Sequence, residues 1–169
     1  ALPVSSQYIR DAILGREDLG EYLMKADNTV VTVVDRRSQE LALPIIRKHL
    51  PDVCVNQEES DHEVGKLDSS IVIYHDPLDG TKGFLIGGPT PTVILGAYDR
   101  AAREWLAAAT MEPATGRLWI SYKDSGGSLA VYDYGEDELG LSSPLHVNAH
   151  PLQDGVVLVD VGNGFQRKT

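Results

Sequence analysis

Between residues 71 and 132 the chain is a succession of short apolar runs broken by turn residues, and this pattern limits the possible folds more than any other feature. The runs cover residues 71–74, 92–98, 104–111, 117–122 and 128–132. Asp99-Arg100, Pro113-Ala114-Thr115-Gly116 and Asp124-Ser125-Gly126-Gly127 stand between the later ones, and Gly, Pro and Asp are turn formers. Links this short cannot carry a crossover, so successive strands are expected to run antiparallel. Residues 145–148 and 156–161 read as two further strands.

The N-terminal third has a different rhythm. Residues 5–25 read as a helix with an interruption: Ile9, Ile13, Leu19, Tyr22 and Leu23 share a face, and Gly15 and Gly20 weaken the run. Lys25-Ala26-Asp27-Asn28 is a polar turn. Residues 30–34 are β-branched and run into a second helix over 35–50, in which Pro44 marks a kink or the first turn of a shorter helix. Val53-Cys54-Val55 is a short strand, and residues 61–70 form a polar loop. Helices first and a mostly antiparallel sheet afterwards predict an α+β fold in one domain.

Acidic residues outnumber basic ones 25 to 15, for a net charge of −10. A polymeric nucleic acid partner needs a basic face and is not expected. A small phosphorylated substrate is compatible with this charge if a cation neutralises a local acidic cluster. No apolar run is long enough to suggest a membrane partner. Cys54 is the only cysteine, so it has no partner for an internal disulfide. Its apolar setting predicts a buried, inert thiol, and a reducing, cytoplasmic compartment fits.

The chemistry concentrates in His75-Asp76-Pro77-Leu78-Asp79-Gly80-Thr81-Lys82-Gly83-Phe84. An apolar strand ends at Asp76, Pro77 favours a turn, and Asp79 can project to the same side. Gly80 permits a tight bend. Carboxylates brought together repel unless a cation such as Mg²⁺ joins them. A helix opening at Thr81 would aim free N–H groups at phosphate oxygens. Taken alone, D-P-x-D-G reads first as a surface turn whose carboxylates cap a helix. Two further acidic positions favour the first reading. Glu58-Glu59 follows one apolar run and Asp35 follows another, so Asp35, Glu58, Asp76 and Asp79 are expected to gather around a shared divalent cation.

These residues carry a resemblance. V-T-V-V-D (residues 31–35), Q-E-E-S (57–60) and D-P-L-D-G-T (76–81) resemble the three N-terminal motifs of the inositol monophosphatase superfamily, in the same order. The continuation T-K-G-F (81–84) and His146-Val147-Asn148 resemble its 3′(2′),5′-bisphosphate nucleotidase branch. The resemblance covers roughly residues 25–159 and implies a layered sandwich, of which this chain is the N-terminal part. It implies Mg²⁺ as cofactor, held by Glu58, Asp76, Asp79 and the Leu78 carbonyl. It implies that Asp35 and Thr81 position and deprotonate the attacking water, and that Gly80, Thr81 and Lys82 meet the substrate phosphate. The substrate implied is a 3′-phosphoadenosine 5′-phosphate-like nucleotide, with inositol phosphate next.

The sequence departs from the pattern in three places. Gln57 stands where Gly is usual, His75 where an apolar residue is usual, and neither Trp105 nor Trp119 begins the W-D motif of the family's second half. His75 reads as a partner to a carboxylate or as a polar substitution near the surface. The rival readings are a non-catalytic chain acting through a partner or a second copy that covers the missing half, and an acidic binding domain without metal.

Overall fold

The computed structural model describes residues 1–16, 22–25, 30–87 and 91–145. Helix α1 spans Leu2–Ile13 and turns Leu2, Ser5, Ile9 and Ala12 inward, the spacing of one helical face. It stops before Gly15, whose φ of 68° is open to glycine at little cost. The helix expected over 5–25 is therefore shorter. Tyr22–Met24 forms strand β1 and pairs antiparallel with β2, Val30–Thr32. Tyr22 and Leu23 are exposed on that ribbon and share no helical face with Ile9.

Helix α2 covers Val33–His49, so it starts inside the β-branched run and before the residue expected to open it. The cause is Thr32. Its hydroxyl accepts hydrogen bonds from the Val34 and Asp35 N–H groups, at 3.1 and 3.3 Å. The Asp35 carboxylate in turn accepts from the Thr32 N–H at 2.8 Å, which completes a capping box. Asp35 thus lies in the first turn of a helix. Pro44 sits inside α2, which continues past it to His49.

Strands β3 (Cys54–Gln57), β4 (Val64–Gly65), β5 (Ile71–Asp79), β6 (Thr92–Asp99), β7 (Glu104–Met111), β8 (Arg117–Tyr122), β9 (Gly126–Asp133), β10 (Glu138–Leu139) and β11 (Ser143–Leu145) make one sheet. Its order is β10-β9-β8-β7-β6-β5-β3-β4, with β11 also paired to β9. From β5 to β9 each strand pairs antiparallel with the next, as the short links after β6 require. The polar loop of 61–70 contains β4. Residues 146–148 and 156–161 lie outside the described residues. The α+β expectation therefore holds, with helices packed on a mainly antiparallel sheet.

One face of the sheet receives α1 and α2. Leu2, Ile9, Ala12, Val34, Leu78, Val93 and Met111 form one core cluster, and Ala42, Ile46, Val55 and Ile73 a second. Met111 is fully buried and far in sequence from the acidic motifs. Met111→Ala is expected to cost about 3 kcal/mol through the lost methylenes and the cavity left behind. Urea unfolding would register this as a lower midpoint at an unchanged slope.

The opposite face carries an aromatic group. The Trp105 ring lies 5.6 Å from Tyr74 and 5.1 Å from Tyr98, centroid to centroid. A side chain at Gly96 would meet that indole at 2.6 Å, so the ring rests on bare backbone. Among the described residues no helix is long and apolar enough to cross a membrane.

Candidate active site

Among the described residues the sheet has one parallel pair, and it builds the site. Strands β3 and β5 run in the same direction, with Gln57 opposite His75. The ladder continues one step further, where the Glu58 N–H donates to the His75 carbonyl at 3.1 Å. Parallel pairing brings the C-terminal ends of both strands to one edge. Glu58 and Asp76 therefore emerge side by side; antiparallel pairing would have sent them to opposite ends.

Helix α2 then joins the remaining parts. Its Asp35 accepts a hydrogen bond from the Thr81 hydroxyl at 2.8 Å. Its Ser38 hydroxyl donates to the Pro77 carbonyl at 3.1 Å. Its Gln39 side chain accepts from the Glu59 N–H at 3.0 Å and donates to the Ser60 hydroxyl at 2.9 Å. Residues 35, 38 and 39 lie within about one helical turn, so a single rigid element tethers all three acidic segments.

The turn after Asp76 is locally determined. Asp76 Oδ1 accepts from the Leu78 N–H at 3.0 Å, bridging Pro77, which has no N–H. Leu78 buries its side chain in the core, and its carbonyl lies 3.0 Å from the Thr81 hydroxyl. Gly80 has a φ of 89°, a conformation that a side chain would strain, and it caps the short helix α3, Thr81–Leu85. Lys82 is on the exposed side of α3.

Burial and the neighbouring Glu58 carboxylate, which lies in hydrogen-bonding reach, push the Asp76 pKa up to about 8; Asp79 adds to the shift. Lys25 reaches the same corner. Its Nζ is 2.7 Å from Glu59 and 3.7 Å from Glu58. Burial works against its charge, but Glu59, Glu58 and Asp35 outweigh that and raise its pKa. Burial also raises the pKa of Glu59, against the pull of Lys25.

The carboxylates fall into three groupings. Asp35 is 1% exposed and is committed to Thr32 and Thr81. Glu58 and Asp76 adjoin. Asp79 is exposed and lies 3.4 Å from the Thr92 hydroxyl, which donates to it. Among the described residues no group of three or more His, Cys, Asp or Glu side chains comes close enough to hold a metal ion. The gathering of all four carboxylates around one cation is not formed. The donor set still fits Mg²⁺ in kind, since every candidate is a hard oxygen and the Glu58–Asp76 pair needs a proton or a cation between its members.

His75 is 3% exposed, so its place is the interior and not the surface. Burial holds its pKa down to about 4. Cys54 is fully buried, with its thiol 3.2 Å from Glu63. His49 and His62 are exposed. Sequence reasoning passed over Lys25, Ser38 and Gln39. Lys25 stood in an ordinary polar turn, and the other two lay on a helix with no acidic motif of their own. A cavity of about 640 Å³ opens beside Glu58 and Asp76 and extends under Asn56 to Tyr74 and Trp105.

A mixed sheet with helices on one face and an acidic site at the end of its parallel pair defines a layered α+β protein. The chain belongs to the inositol monophosphatase family, whose model matches residues 5–159. It is 32% identical over 114 residues to Nus factor SuhB of Pasteurella multocida, a stretch covering 68% of this chain and 41% of that protein. It is 36% identical over 97 residues to the inositol-1-monophosphatase of a Synechocystis species, covering 51% of this chain and 33% of that one. Among solved structures, the suppressor protein SuhB of Bartonella henselae superposes with a TM-score of 0.68 at 23% identity, covering 76% of this chain and 48% of that one. An IMPase of Thermotoga maritima gives 0.63 at 26% identity, covering 76% and 47%. The chain thus spans less than half the length of these relatives.

Proposed function

We propose that the chain serves Mg²⁺-dependent hydrolysis of a phosphomonoester, with a 3′-phosphoadenosine 5′-phosphate-like bisphosphate nucleotide as first substrate and an inositol phosphate as second. The observation that carries this reading is the Thr81 hydroxyl, held 2.8 Å from buried Asp35 and 3.0 Å from the Leu78 carbonyl, on the turn that also presents Asp76. A hydroxyl alone is a poor base. With Asp35 accepting its proton, Thr81 can accept one from a water molecule in the same step. Gly80, Thr81 and Lys82 would meet the phosphoryl oxygens.

Glu58 and Asp76, with the Leu78 carbonyl and Asp79, would hold Mg²⁺. When bound, the ion supplies positive charge for the phosphoryl oxygens and makes water more acidic. Lys25 pairs with Glu58 and Glu59 and would compete with the cation for them. No covalent enzyme intermediate is needed. The T-K-G-F continuation supports the nucleotide over the inositol substrate.

The test is phosphate release from the bisphosphate nucleotide and from inositol 1-phosphate, with and without Mg²⁺. Asp76→Asn is expected to lower turnover at least about 100-fold, since a metal-holding carboxylate is lost. Undiminished turnover in that variant would place the chemistry elsewhere. A second reading, a non-catalytic chain that binds a partner or a second copy, is favoured by the exposed Trp105 and Tyr74 opposite the helices. It predicts no phosphate release from either substrate.

A further inference from the structure

Two of the residues that depart from the family pattern touch each other. The Gln57 side-chain amide lies 3.2 Å from His75 Nδ1 and 3.5 Å from the Gln39 carbonyl of α2. Gln57 and His75 are both 3% exposed, and they are register partners on β3 and β5. An amide nitrogen has two hydrogens, and these two acceptors use both. These contacts assign His75 Nδ1 the acceptor role, in the tautomer with its hydrogen on Nε2. That nitrogen is buried and has no hydrogen-bond partner among the described residues. Gln57 is therefore the contact that fixes the ring.

The position of this pair matters more than its energy. Gln57 immediately precedes Glu58, and His75 immediately precedes Asp76. We infer that Gln57 and His75 form a buried clasp that positions the two adjoining carboxylates by locking the last rungs of β3 and β5 to each other and to helix α2. The inference rests on the proposed role of Glu58 and Asp76 in holding Mg²⁺, and both residues of the clasp are positioning residues. Without the clasp, a buried amide and a buried imidazole would each lose a partner, and the strand ends would separate to rehydrate them. The carboxylates would separate with the strand ends. Groups that orient metal-binding residues without touching the metal commonly change affinity by about 10- to 100-fold when removed.

The test uses the full 169-residue chain with four variants: His75→Leu, Gln57→Ala, the double variant, and His75→Asn, whose side-chain oxygen can replace Nδ1 as acceptor. Mg²⁺ is titrated by calorimetry below each variant's melting temperature, and melting is recorded without metal. His75→Leu and Gln57→Ala are expected to bind Mg²⁺ about tenfold more weakly than the unaltered chain. The double variant should be no weaker than either single change, and His75→Asn should recover most of the affinity. Unchanged Mg²⁺ affinity in both single variants, despite lower melting temperatures, would reduce the pair to packing and overturn the inference. Failure of the unaltered chain to bind Mg²⁺ would instead remove the metal reading. The clasp would then be judged by melting alone, where additive losses in the double variant would overturn it.

Discussion

Asp35→Ala is expected to destabilise the chain by about 3 kcal/mol, the sum of a lost helix cap and of buried donors left without an acceptor. Asp35 accepts from the Thr32 N–H, the Thr32 hydroxyl and the Thr81 hydroxyl, and it is 1% exposed. Removing it frees the first turn of α2 and releases Thr81 at once. A thermal scan should show a fall in midpoint of roughly 10 °C for a chain of this size. Asp35→Asn keeps an acceptor oxygen and should lose less than half as much. Equal midpoints for Asp35→Ala and the unaltered chain would show that the capping box bears no weight.

The second large effect has a pH dependence. The Asp76 pKa lies near 8 in the fold and near 3.8 in an unfolded chain. The folded state therefore holds a proton that the unfolded state releases between those values. Stability falls as pH rises through that window, and the full penalty is present above about pH 8. Asp76→Asn removes the penalty because the amide has no charge to bury. In the metal-free protein, Asp76→Asn should melt together with the unaltered chain near pH 4 and later than it at pH 8.5. The gain is about 2 kcal/mol after allowance for partial solvent access. Mg²⁺ should raise the melting temperature of the unaltered chain at pH 8.5 and leave the variant unchanged. A destabilised Asp76→Asn at pH 8.5 would contradict the sign of this argument.

The meander from β5 to β9 was legible because it is local: apolar runs of strand length and the turn residues between them are both properties of short windows. The start of α2 was not. Five β-branched or apolar residues in a row read as strand, and the Thr32–Asp35 capping box, which moves the boundary, uses Asp where Glu or Gln would signal it more clearly. Strand β1 was hidden for a related reason. Three residues carry too little pattern, and the ribbon exists because β2 is there to pair with it.

For the candidate site, the sequence marked acidic residues that end apolar runs. It could not say which would become neighbours. That depends on β3 and β5 running parallel, which is settled by packing across distant parts of the chain. The same holds for Ser38 and Gln39, whose significance lies in contacts far along the chain. Asp79 illustrates the remaining gap. A three-residue step from Asp76 placed it on the same turn, but the bulge between them leaves its side chain beside Thr92.

The shared direction of β3 and β5 has a geometric corollary. Neighbouring strands stand about 4.8 Å apart while the rung between them is closed, as the Gln57–His75 contact closes this one. The anchor points of positions 58 and 76 are therefore set by the sheet repeat, and substitution there changes reach without changing separation. With that rung closed the backbone acts as a caliper, and under the proposed metal role the choice of Glu or Asp at each tip would set how large an ion fits between the jaws.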